Sequence, residues 1–105
     1  MGGGKVKRKL KMEKSSGNVF LDLGFPKEEA VNLSIRTKLM IEIEQHIERE
    51  KLTQAKAAKL FGVTQPRISD LKRGKIDVFS VDMLIKMLAR AGLSVNVRVI
   101  KPKAA

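Results

Sequence analysis

From residue 19 onward, apolar residues recur in short sets separated by turn-forming residues. Val19, Leu21 and Leu23 alternate with Phe20 and Asp22 before Gly24, so period 2 predicts a short strand. Pro26 suits a first helical turn, and Glu28 and Glu29 complement the positive end of a helix. That helix either runs on or restarts near Ser34, because Asn32 and Ser34 are weak helix formers, and it reaches about Glu50. Ile35, Leu39, Ile43 and Ile47 stand at spacing four and predict one apolar stripe. Glu42, Glu44, Glu48, Arg49, Glu50 and Lys51 form its solvated side, and His46 among them is expected to be an exposed helix histidine rather than a ligand or base. Farther on, Ser80 caps a helix with Val81, Leu84, Ile85 and Leu88 on one face, and Gly92 stops it. Met83 and Met87 are filler of a core or interface. Residues 93–100 alternate strictly, with Leu93, Val95, Val97 and Val99 on one face, and predict a half-buried strand.

The most informative stretch lies between Leu52 and Gly74. Thr53 caps a helix by accepting from amides two or three residues on, and Gly62 supplies the left-handed residue that ends it. Thr64 caps a second helix at once, Pro66 is tolerated in its first turn, and Gly74 closes it. Ala57, Ala58, Leu60 and Phe61 face inward on the first helix, and Ile68 and Leu71 on the second. The opposite side of the second helix carries Gln65, Pro66, Ser69, Asp70 and Arg73, all polar or small.

Charge sharpens this picture. The 105 residues include 22 Lys and Arg against 11 Asp and Glu, a formal net charge of +11, which makes a polyanion the expected partner. Residues 1–18 hold Lys5, Lys7, Arg8, Lys9, Lys11 and Lys14 and too few apolar groups to fold alone, so a basic flexible tail is expected there. Such a run is either a solvated tail or an arm that tracks phosphates. Within the remainder the bases cluster at Lys72, Arg73 and Lys75. The absence of Cys rules out disulfides and thiolate metal sites, and a single His leaves no histidine cluster; no cofactor is implied. No apolar run is long enough to span a bilayer, so a soluble, cytoplasmic protein with no membrane partner is expected.

The stretch around Gly62 resembles the helix-turn-helix of the XRE/Cro family of phage-repressor-like regulators. In that family Gln opens the first helix, Ala follows four residues later and Gly sits in the turn, as Gln54, Ala58 and Gly62 do here. The pattern continues through Thr64, Gln65, Ile68 and Leu71. The resemblance implies a mainly α, five-helix lambda-repressor-like domain over residues 19–100, with the motif at 53–74 and double-stranded DNA as partner. To this the hydrophobic pattern adds the short N-terminal strand and a C-terminal strand at 93–100, followed by a tail at 101–105. A more diffuse likeness in layout links the chain to antitoxins of the HigA type, which implies a RelE-like ribonuclease toxin as a further partner and a self-repressed operon. The alternative is a stand-alone phage-type or host regulator. An enzyme is disfavoured, since no nucleophile–base pair or phosphate loop is legible.

An α-helix fits the major groove, where Gln can pair with an adenine edge and Arg can fork onto guanine. Gln65 and Arg67 are therefore the expected base-reading residues, although Arg67, turned sideways one step from Pro66, could hold a phosphate instead. Pro66 and Ser69 allow close approach on the same face. Asp70 either accepts from cytosine or, the preferred expectation, orients Arg67 or Arg73. Thr53, Gln54, Thr64, Lys72, Arg73 and Lys75 are placed for backbone phosphates. A lone terminal strand leaves unpaired amides, so residues 93–100 are expected to pair with residues 19–23, with their counterpart in a second subunit, or with both, giving a homodimer on a palindromic operator; the alternative is an intramolecular hairpin in a monomer.

Overall fold

The computed structural model describes residues 18–102, and the basic run before Asn18 lies outside them. Five α-helices follow one another: α1 (Val19–Asp22), α2 (Lys27–Arg49), α3 (Gln54–Phe61), α4 (Gln65–Lys72) and α5 (Val81–Arg90). A 3-10 turn (Ile76–Val78) joins α4 to α5. Side-chain oxygens open four of the five helices. Asn18 accepts from the Phe20 and Leu21 amides, Thr53 from Lys56, Thr64 from Arg67 and Ser80 from Met83. The fifth, α2, starts behind Pro26 without a side-chain cap.

One apolar core holds these elements together. Ile43 and Ile47 of α2, Ala57, Ala58 and Phe61 of α3, Ile68 and Leu71 of α4, Phe79, and Leu84, Met87 and Leu88 of α5 are all buried in it. Each such side chain withdrawn from water contributes on the order of 1.5–3 kcal/mol, except the smaller alanines, whose value is to let helix backbones approach. The long helix α2 packs along α5, and α3 packs against both α4 and α5.

Several expectations are corrected. Val19–Asp22 is a helical turn and not a strand, because the Asn18 side chain satisfies its first amides and Gly24 turns the chain just beyond it. The inward residue is Phe20, which lines a cleft with Met40, Ile41, Glu44 and Leu71, whereas Leu23 is 69% exposed. The helix α2 is continuous, with no restart at Ser34. Its stripe does not stay on one face: a spacing of four overshoots the helical repeat by about 40° per step. Ile43 and Ile47 are buried while Ile35 is exposed, and Ala30, Leu33 and Met40 fill the inward positions instead. His46 is half-buried rather than exposed, its ring edge-on to Phe61 at 6.0 Å.

Residues 93–100 form no strand among the described residues. With the N-terminal segment helical, a single chain offers this stretch no edge to pair with. Leu93 and Val95 pack against the core, and Val97, Val99 and Ile100 project into solvent.

Candidate nucleic-acid interface

The α3–turn–α4 unit is built from its caps and its turn glycine. Gly62 adopts φ +72°, a left-handed conformation costly to any residue with a Cβ, and Val63 then donates its amide to the Ala58 carbonyl at 3.0 Å. The Thr64 hydroxyl oxygen accepts from the Arg67 amide at 3.3 Å, so α4 starts two residues after the turn. Fully buried Ile68 and Leu71 pin one side of α4 to the core. What remains outward is the predicted face, with Gln65 and Pro66 exposed at its start, Ser69 and Asp70 half-buried in the middle and Arg73 exposed at its end. Thr53 and Gln54, at the start of α3, are exposed as well. The capping threonines use oxygen lone pairs to accept, which leaves each hydroxyl proton available to a phosphate.

Electrostatics concentrate at the C-terminal end of α4. Asp70 faces Arg73, one of the two arginines expected beside it, at 3.5 Å, and Lys75 at 3.8 Å. Lys72 is exposed beside them and faces the half-buried Glu44 of α2. Burial pushes the Glu44 carboxyl above its ordinary range, Glu48 pushes it further up, and Lys72 pulls it back.

Arg67 is set apart from the other site residues. Its guanidinium turns back to donate to the Val78 carbonyl at 2.9 Å and lies 5.8 Å from the centre of the Phe79 ring. Arg36 of α2, which sequence patterning did not single out, reaches the same loop. It donates to the carbonyls of Ile76 at 3.0 Å and Phe79 at 3.3 Å, and its Nε donates to Asn32 at 2.7 Å. Sequence patterning does not mark the loop contact of Arg36, since the carbonyls it reaches lie 40 and 43 residues away.

Two short helices joined at a glycine turn, the second presenting a polar face with cations at its C-terminal end, define a helix-turn-helix protein. A family model described as "Helix-turn-helix domain" matches residues 19–100, and the chain belongs to that family. A solved structure named "Putative XRE Family Transcriptional Regulator" is similar to it at a TM-score of 0.67 and 29% identity, covering 71% of this chain and 84% of that one. No curated protein matches the chain. The XRE-type helix-turn-helix assignment made from Gln54, Ala58 and Gly62 therefore stands. Among the described residues, no helix is long and apolar enough to cross a membrane.

Proposed function

We propose that the protein is a sequence-specific, double-stranded DNA-binding transcriptional repressor that inserts α4 into the major groove. The single observation that carries this reading is the division of α4: Ile68 and Leu71 are buried while Gln65, Pro66 and Arg73 stay exposed on the other side. Gln65 reads an adenine edge, with Pro66 and Ser69 permitting close approach. Thr53, Gln54, Thr64, Lys72, Arg73 and Lys75 hold phosphates and set register without reading sequence. Gln65→Ala should cost on the order of 1–3 kcal/mol at one base pair, whereas Lys75→Ala should weaken all sequences alike. Equal losses for Gln65→Ala on a selected site and on a scrambled duplex, measured by titration, would contradict the assignment.

The same proposal includes a homodimer on a palindromic site. An apolar groove between α2 and α5, lined by Ile35, Leu39, Val81 and Ile85, runs beside Val95 and Val97, and the backbone beyond Val95 has no strand partner among the described residues. Pairing of residues 93–100 between two copies satisfies that backbone and covers that groove. An antitoxin role rests on likeness in layout to the HigA type. Its test is genetic: a neighbouring gene for a small ribonuclease whose growth arrest this chain relieves supports it, and the absence of such a gene favours the stand-alone regulator.

A further inference from the structure

We infer that Arg36 and Arg67 together clamp the loop that follows α4, acting as positioning residues for the phosphate contact made by Lys75, and that Arg67 therefore does not read a base. The inference rests on the DNA-binding reading above and deepens it. Three carbonyls within the four residues Ile76–Phe79 accept from these two guanidinia. The donors come from two helices, Arg36 from α2 and Arg67 from α4 itself, so the loop is tied both to the core helix and to the helix proposed to enter the groove. Arg36 is oriented for this by Asn32, and Arg67 by the ring of Phe79, which is itself 1% exposed.

The partners are carbonyls and not carboxylates. Among the described residues neither arginine forms an ion pair. By contrast, among the described residues the Lys75 ammonium pairs with Asp70 alone, at 3.8 Å, at the edge of an ion-pair contact, and can exchange that partner for a phosphate. The clamp fixes where Lys75 starts from: its amide is tied to the Asp70 carbonyl at 3.0 Å on one side, and its carbonyl accepts from the Val78 amide at 3.3 Å on the other. For Arg67 to fork onto a guanine it would have to abandon Val78 and the Phe79 ring, uncovering a buried aromatic side chain.

The test compares full-length wild-type protein with Arg67→Met, Arg67→Lys and Arg36→Lys on two duplexes, one recovered by selection from a random library and one of scrambled sequence, across a NaCl titration. Arg67→Met should weaken both duplexes by the same factor, several-fold, and make the salt dependence shallower by about one phosphate contact, a slope change near 0.9. Arg67→Lys, which keeps the charge and one donor, should recover part of the loss on both. Arg36→Lys should behave in the same direction, and hydrogen exchange at the Val78 and Phe79 amides should quicken in each variant. The inference is overturned if Arg67→Met weakens only the selected duplex, since Arg67 would then read a base. Unchanged binding and unchanged salt slope in Arg67→Met would overturn it too. Failure of the wild-type protein to bind either duplex would instead sink the DNA-binding reading itself.

Discussion

At the scale of single residues, two half-buried polar groups on α2 work against stability. Among the described residues the buried His46 Nδ1 has no hydrogen-bond partner, a desolvation penalty on the order of 1–3 kcal/mol, offset by an edge-on contact with Phe61 worth roughly 0.5–1.5 kcal/mol. His46→Leu is therefore expected to raise stability by about 1 kcal/mol, read as a higher midpoint in urea. A drop in midpoint would show that the ring contact outweighs the unpaired nitrogen. Glu44 has a carboxyl whose proton is held more tightly in the folded chain, through burial first and then Glu48. Its stabilising contribution is complete below the unfolded pKa and is lost as pH rises through the raised folded value. Glu44→Gln should accordingly raise the melting temperature at neutral pH, an advantage that shrinks on acidification toward about pH 4, the region where an unfolded glutamate takes its proton. Lys72→Ala should make the loss with rising pH steeper, because Lys72 is the cation that holds Glu44 down.

At the scale of elements, caps and turn were legible because each depends on one residue and its immediate neighbours. Thr53, Gly62, Thr64 and Ser80 do in the structure what their side chains dictate locally. Gly62→Ala should destabilise by about 1–2 kcal/mol for the left-handed backbone alone, and must also displace the Arg90 side chain that lies against this glycine. Thr64→Ala should cost about 1 kcal/mol in thermal unfolding. What failed was periodicity over short or ambiguous runs. Five residues at Val19–Leu23 fit a strand by alternation, yet a single side chain, that of Asn18, was enough to start a helix there. The four isoleucine and leucine positions of α2 looked like one stripe only because their drift around the helix was neglected. The loop contacts of Arg67 and Arg36 were not legible for a third reason: their acceptors are carbonyls of residues 76–79, and backbone acceptors leave no mark in a sequence.

At the scale of the whole molecule, α4 is fixed by a core shared among α2, α3 and α5. Beyond Val95, the C-terminal segment carries apolar residues that the single chain leaves in solvent. Val97 is 79% exposed and Val99 85%, so Val97→Asp should leave the stability of the isolated chain within about 0.5 kcal/mol. The same change should abolish a dimer seen by sedimentation, and an 11.7 kDa species for the wild-type chain at high micromolar concentration would reject the dimer altogether. Because two α4 helices related by a two-fold axis sit about 34 Å apart on such a dimer, the operator should show two half-sites one helical turn apart.

The most direct test is DNase footprinting of the full chain on fragments from its own genome in low-salt buffer. The account predicts a discrete protected stretch with two-fold symmetry that Gln65→Ala blurs and Lys75→Ala merely weakens. Uniform cleavage at every protein concentration, or protection indifferent to sequence, would contradict it.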